Sequence, residues 1–172
     1  MPNFEIRELD IRNEEEVEQV DRLYRETFKE LPHEVILTPD NVRPAVDRGR
    51  SITHVKVFVA VEKNVVLGLA VGSVLNQTKF RELEGKKVYV LHNLAVAKEH
   101  RRRGIATALN LARLKHAQET KSDCILGSTL STNYPRRTQL EKEGFRKFSG
   151  EVIIDRKLRQ SFRVLHYIKH LR

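Results

Sequence analysis

The stretch Leu94-Ala95-Val96-Ala97-Lys98-Glu99-His100-Arg101-Arg102-Arg103-Gly104-Ile105-Ala106-Thr107 decides how the rest of the chain is read. An apolar strand passes through a short loop into a helix whose first turn is basic. A helix N-terminus is the positive end of the macrodipole and favours acids, so three consecutive arginines there run against the rule. They cost stability unless an anion joins them. The first-turn N–H groups have no partner inside the helix, and together with the arginines they form an anion site. Gly104 has no side chain, which lets a phosphate approach the backbone closely, and Ala106 keeps the next turn open. Read instead as a solvated charge run, the arginines would leave the Gly and Ala spacing unexplained.

Outward from this segment the pattern is that of alternating strands and helices. Phe4 and Ile6 alternate with Glu5 and Arg7, a short strand signal over Asn3 to Leu9. Asn13 is an N-cap candidate with Glu14, Glu15 and Glu16 in the first turn, and apolar residues then recur at helical spacing from Val17 to Leu31. Thr38-Pro39-Asp40 starts a second helix, expected to end at Gly49. Val55 to Glu62 alternates as a strand, and Lys63-Asn64 turns it into Val65 to Leu75, which is apolar on both faces and so central to a sheet. Phe80 to Lys87 is a charged loop. Further strands are expected over 87–96, 123–130, 145–154 and 163–170, with helices over 103–120 and 134–143, the latter ended by Gly144. The order β-α-α-β-β-β-α-β-α-β-β describes one α/β domain with a mixed sheet.

The 172 residues suit a single domain over 1–172, and the balance of 40% hydrophobic and 32% charged residues is that of a folded globular protein. No run of 18 apolar residues exists, which argues against a membrane span, and the first residues carry no apolar signal-peptide core. One cysteine, Cys124, rules out an internal disulfide framework and fits a cytoplasmic location. The net charge of +9 attracts polyanions. Nucleic acid is disfavoured, because aromatics are only 6% and no nucleic-acid motif is present.

The Arg101-Arg102-Arg103-Gly104-Ile105-Ala106 segment after Leu94-x-Val96 resembles the signature of the GNAT superfamily of N-acetyltransferases, Arg/Gln-x-x-Gly-x-Gly/Ala after a strand. Asn133, with Gly144-Phe145 eleven and twelve positions later, resembles the family's second block. The element order agrees from the opening strand to the closing Tyr167-Ile168-Lys169-His170-Leu171. The resemblance implies a mixed, mostly antiparallel central sheet splayed between its fourth and fifth strands and flanked by about four helices. Coenzyme A would lie in the splay. Backbone groups of Leu94 and Val96, with Ala95 between them, would hold the pantetheine arm. Amides from Arg102 to Thr107 would hold the pyrophosphate, beside Arg101, and Asn133 would meet the pantetheine from the other side. Acetyl-CoA would serve as co-substrate for an amine acceptor, with no metal, and a homodimer is left open.

A primary amine arrives protonated, and with a lysine-like pKa of about 10.4 its deprotonation at pH 7 costs roughly 4 kcal/mol. A general base would supply much of this, and His92 is the candidate. It interrupts an apolar face read as Val88, Val90, Leu94 and Val96, and many family members place a Glu or His there. The other reading is a buried histidine bonded to a neighbour. Asn93, on the opposite face, would orient a substrate or end a bulge. The tyrosine that the family usually places seven residues after the Asn, to protonate the departing thiolate, is replaced by Leu140. Ser131, Thr132, Tyr134 or solvent would substitute, and a thiolate, whose conjugate acid has a pKa of about 8.5, is a tolerable leaving group without an acid. Cys124 reads as a core residue rather than an acyl carrier.

Three functions therefore stand open: acetyl transfer, a CoA-binding sensor that has lost catalysis, and an RNA- or ribosome-associated protein using the basic tail from Arg156 to Arg172. The acceptor pocket is expected from Leu31 to Gly49 and Asp155 to Phe162, where Glu30, Glu34 and Asp40 would attract a cation.

Overall fold

Seven strands hydrogen-bond in the order β1-β3-β4-β5-β6-β8-β7, and the positions that decide this order are visible in the local chemistry. The computed structural model describes residues 3–28, 46–47, 50–75, 78–155 and 160–171. The strands are β1 (Glu5–Glu8), β2 (Val46–Asp47), β3 (Arg50–Glu62), β4 (Val65–Leu75), β5 (Val88–Val96), β6 (Cys124–Leu130), β7 (Arg146–Asp155) and β8 (Gln160–His170). The short β2 pairs with β3 alone. Among the described residues three α-helices pack on this sheet: α1 (Glu14–Phe28), α2 (Ile105–Glu119) and α3 (Tyr134–Lys142).

Asn13 caps α1, its Oδ1 accepting the Glu16 N–H at 3.2 Å. Glu16 in turn takes both guanidinium nitrogens of Arg7 on β1, at 2.6 and 2.9 Å, which ties the helix to the sheet. Val17, Val20, Leu23 and Tyr24 bury the inner face of α1 against Val59, Leu69, Val71 and Ala95. Lys63 and Asn64 both take positive φ (49° and 65°), the geometry of a tight hairpin turn, so the β3–β4 connection is as its sequence suggests. β4 is buried from Val66 to Val74 and lies at the centre of the sheet. On the face opposite α1, α2 buries Ile105 and Leu109 against Phe58, Leu67 and Val96.

Several expectations change. The helix expected from Thr38 to Gly49 falls mostly on residues outside the description, but Val46 and Asp47 form a strand paired with Ser51 and Arg50. Pro44, which lacks an N–H and clashes within a helix, is incompatible with a helix running through to Gly49. The acceptor segment from Leu31 to Gly49, with Glu30, Glu34 and Asp40, lies largely outside the described residues. α2 begins at Ile105 rather than Arg103, because Gly104 takes φ 82° as its cap. The supposed basic tail is no tail: Gln160–His170 is β8, an interior strand between β6 and β7. Cys124 is fully buried among Leu83, Val88, Leu126 and Ile168, and burial pushes its thiol up. No helix among the described residues is long and apolar enough to cross a membrane.

Candidate active site

β5 and β6 are the parallel pair, and their ladder runs only from Val88–Cys124 to Leu91–Gly127. Beyond that rung β5 continues to Val96 and β6 to Leu130 with no pairing between them. The gap is the mouth of a cavity of about 870 Å³ that runs to the start of α2 on one side and α3 on the other. His92, Leu94, Ala95, Val96, Arg101, Arg102, the Gly104 to Thr107 turn and Asn133 all line it. Arg103 does not. Its guanidinium pairs with Glu62 on β3 at 2.7 Å and meets His100 Nδ1 at 3.0 Å, so one of the three arginines serves the fold.

The floor at the α2 end is built for an anion. Gly104 is an N-cap with no side-chain cap, and no acid stands in the first turn. The first helical bond runs from the Ala108 N–H to Gly104 O at 3.0 Å, so the N–H groups of Ile105, Ala106 and Thr107 precede it. A Cβ built on Gly104 would meet nothing within 4 Å, so the backbone there is open to solvent and to a ligand. Arg102 also takes positive φ (64°), which bends the loop around this point. Arg101 reaches back to donate to the Val96 carbonyl at 3.3 Å. A diphosphate fits this cradle, since amides, an open glycine and two cations converge where no carboxylate does.

His92 sits on a kink that sequence alone did not resolve. Ala70 pairs with Leu94 and Gly72 with Leu91, so β5 spends one residue more than β4 over this interval. The result is a β-bulge at His92-Asn93. It turns the strand over: Tyr89 and Leu91 pack with Ala117 and Leu140, whereas after the bulge Leu94 and Val96 take that side. His92 therefore shares a face with Val88 and Val90 but not with Leu94 and Val96. Asn93, expected opposite, lies on the His92 side and donates from Nδ2 to the Tyr24 hydroxyl of α1 at 3.2 Å. His92 Nε2 is 2.6 Å from Ser73 Oγ, and Ser73 is fully buried.

A bulge strands backbone carbonyls, and α2 supplies their partner. Arg113 is fully buried and donates from one nitrogen to Val71 O at 3.3 Å and to His92 O at 3.1 Å. Its other terminal nitrogen meets Asn110 Oδ1, and Asn110 Nδ2 reaches both oxygens of Glu143 at 2.7 Å. Burial lowers the Arg113 pKa to about 9. The hydrogen bonds of its two terminal nitrogens stand in for water at this depth, while Nε is buried without a partner among the described residues, and the guanidinium holds the backbone on which His92 stands. A basic residue at helical spacing from Leu109 and Ala117 was a visible anomaly of the sequence, and it marks this support.

On the far wall Asn133 caps α3, its Oδ1 accepting the Arg136 N–H at 3.2 Å. Arg136 lines the cleft, donates to Gln139 at 2.9 Å, and has its pKa lowered by burial. Leu140 is fully buried, against Gly127 and beneath the rung where the strands part. Among the suggested stand-ins, Ser131, Thr132 and Tyr134 do not line the cleft, and Tyr134 points outward at 67% exposure. The hydroxyls that do line it on this wall are Ser128 and Thr129, which the sequence reading passed over.

A model of the acetyltransferase (GNAT) family matches residues 10–145, most of the chain. The chain belongs to the acetyltransferase (GNAT) family. Its fold agrees with that of many solved GNAT structures at low sequence identity. The ribosomal-protein-alanine N-acetyltransferase from Brucella melitensis is 17% identical, with 97% of this chain and 99% of that one covered and a TM-score of 0.73. The Arabidopsis thaliana NAA60 structure with acetyl-CoA is 14% identical over 98% of both chains, with a TM-score of 0.74. An N-acetyltransferase from Staphylococcus aureus Mu50 is 15% identical over 99% of both chains, with a TM-score of 0.74. No curated protein matches the chain. The GNAT match ends at Phe145, so β7 and β8 lie beyond it.

Proposed function

We propose that this GNAT chain is an acyl-CoA N-acyltransferase that moves an acetyl group from acetyl-CoA to a primary amine, on a small molecule or a peptide, by direct attack in a ternary complex. The observation that carries the reading is the parting of β5 from β6 beyond Leu91–Gly127, with the gap ending on the open Gly104 turn of α2. The pantetheine arm would lie along Leu94, Ala95 and Val96, the diphosphate on the amides from Arg102 to Thr107, and Arg101 and Arg102 would balance its charge. Asn133 would border the arm from α3. The acetyl-CoA supplies the activated thioester; the chain's residues bind it, align it and move protons.

His92 is the residue we assign to accept the proton of the incoming ammonium. In this assignment Nε2 carries the proton and donates it to Ser73 Oγ, which leaves Nδ1 as the basic nitrogen; the buried Ser73 hydroxyl, able to donate or to accept, holds the ring in place. The bulge turns this side chain to the α1 face, and Arg113 secures the carbonyl behind it. The whole of 1–172 acts as one acetyltransferase domain in this reading, working in the cytoplasm, and a homodimer is compatible with it. The acceptor is a chemical class only: an amine able to reach the thioester from the α1 face.

A second reading has one specific observation in its favour. Leu140 fills the core at the position from which a tyrosine would protonate sulfur, so the chain could hold CoA as a sensor without turnover. Titration calorimetry with CoA and acetyl-CoA, followed by thiol-release assays over a panel of amines and N-terminal peptides, separates the two. Micromolar binding with amine-dependent CoA release supports the enzyme. Equally tight binding with no release, unchanged by His92→Ala, supports the sensor, and no binding at all overturns both.

A further inference from the structure

A second histidine–serine pair stands on the opposite wall of the split, and nothing in the reading above uses it. Ser128 is the first residue of β6 beyond the last rung of the ladder, and it is exposed at the cleft. Its cross-strand partner on β8 is His166, whose Nδ1 lies 2.8 Å from Ser128 Oγ. His166 Nε2 lies 3.1 Å from Glu151 Oε1 on β7, and the same carboxylate pairs with Lys79. The imidazole is 5% exposed, with the Phe80 ring 5.0 Å from it.

The protonation pattern follows from these partners. An ionised carboxylate only accepts, so the proton of a neutral His166 sits on Nε2 and its Nδ1 accepts from the Ser128 hydroxyl. Glu151 stays ionised, because Lys79 first and His166 second hold its carboxyl below the usual range. Burial lowers the His166 pKa, with Lys79 acting the same way and Glu151 opposing. A cleft-facing hydroxyl, backed by a neutral imidazole, backed in turn by a fixed carboxylate, is the arrangement that lets a hydroxyl pass protons.

We propose that Ser128, recharged through His166 and Glu151, carries a proton from the attacking nitrogen to the departing CoA sulfur. The proposal rests on the acyl-CoA reading of the cleft. His92 removes the ammonium proton, and the amine lone pair forms the N–C bond to the thioester carbon. The nitrogen then sheds a second proton to Ser128 Oγ, while the Ser128 proton moves to His166 Nδ1, and Glu151 balances the imidazolium. When the C–S bond breaks, its electron pair stays on sulfur. Sulfur takes a proton from Ser128, His166 returns its own to Ser128, and the products are the amide, the free thiol and one proton left on His92 for solvent. Ser128 is the catalytic residue here; His166 and Glu151 are positioning residues that act through it.

The test reads sulfur directly and needs no acceptor. CoA bound to the full chain is titrated from pH 6 to 10 while thiolate absorbance is followed, with the desulfo-CoA complex as blank. As the thiol ionises its proton passes through Ser128 to His166 Nδ1. The imidazolium then donates to Ser128 Oγ, and the one hydroxyl proton is left for the thiolate, which should appear about one pH unit below its ordinary value of about 8.5. Ser128→Ala should return the titration to that ordinary value, Ser128→Thr should keep the shift because it keeps the hydroxyl, and Glu151→Gln should lose part of it. CoA affinity should stay within about threefold in all three variants, since the reporter changes the sulfur's surroundings and not the anion cradle. A thiolate titration that Ser128→Ala leaves untouched, in a complex that still binds CoA, overturns the relay and makes the three residues a staple of the sheet edge. Absence of CoA binding by the unmodified chain overturns the relay together with the acyl-CoA reading.

Discussion

The two walls of the split carry the same pair of residue types in opposite order. On β5 the histidine faces the cleft and its serine is sealed, with Ser73 fully buried behind His92. On β6 the serine faces the cleft and its histidine is sealed, with His166 buried behind Ser128. In the proposed reading the outer member meets the ligand, and the inner member is its hydrogen-bond partner. An imidazole at the surface of a cleft can take a proton outright, near neutral pH. A hydroxyl there can only pass one along, and needs an imidazole behind it. On the proposed reading this difference gives proton removal to the β5 wall and proton return to the β6 wall.

The largest effect should come from the outer member on the β5 wall. His92→Gln is expected to lower kcat by about 1000-fold, within the range for loss of a general base, with CoA affinity unchanged. A drop confined to KM would mean that His92 orients the acceptor rather than taking its proton. Next is the cradle on which both walls depend. Gly104→Asp should weaken CoA binding by about 100-fold, because a carboxylate is set against the diphosphate and φ 82° strains any residue but glycine, whereas Gly104→Asn, equally strained but uncharged, should lose much less. Calorimetry measures it, and Gly104→Asp binding at wild-type strength would sever the link between the α2 turn and the cofactor.

The sequence made the cradle legible because its logic is local: a glycine at a helix start and basic residues against the dipole need no tertiary knowledge. The element order was legible for the same reason, through alternation in Val55 to Glu62 and the Asn13 cap. The bulge at His92-Asn93 was legible only as one of two readings of Asn93, and its effect on the strand's faces was not. A period-2 reading carries Val88, Val90, Leu94 and Val96 onto one face, and only the pairing of Ala70 with Leu94 and Gly72 with Leu91 reveals the extra residue. Arg103 reads like its neighbours until Glu62, 41 residues away, claims it. Ser128, Glu151 and His166 come from three strands, and no local spacing joins them, because cross-strand neighbours on β6, β7 and β8 are set by sheet order. Only the end of the helix expected from Thr38 to Gly49 falls on described residues, and there Val46 pairs with Ser51 in a strand, a long-range contact that the glycine stop signal does not show.

A smaller effect probes the inner member on the β5 wall. Ser73→Ala deletes one hydroxyl bonded at 2.6 Å, worth roughly 0.5–1.5 kcal/mol net, so kcat should fall by no more than about tenfold. On the β6 wall the outer member again costs the most, and there it is the serine. If Ser73→Ala instead matched His92→Gln, the β5 pair would work as a relay too, and the contrast between the walls would fail.

The smallest effect is on stability, and it follows from the sealing of imidazoles. His166 and, on α2, His116 are both buried, and burial is the largest cause holding each pKa below the ordinary value. His116 Nδ1 lies 2.9 Å from the Tyr89 hydroxyl. In the unfolded chain both rings take up protons near pH 6.5, whereas the folded chain resists until lower pH. Between those values the unfolded state binds more protons, so stability is fully present above about pH 7 and falls as pH drops. Thermal unfolding at pH 5.5 should therefore start roughly 2–4 °C below that at pH 7.5, the scale of about 1 kcal/mol in a chain of this size. His116→Gln removes one of the two groups and should shrink the drop; a variant that keeps all of it would show that His116 contributes nothing to the acid sensitivity and leave His166, sealed behind Ser128, as its source.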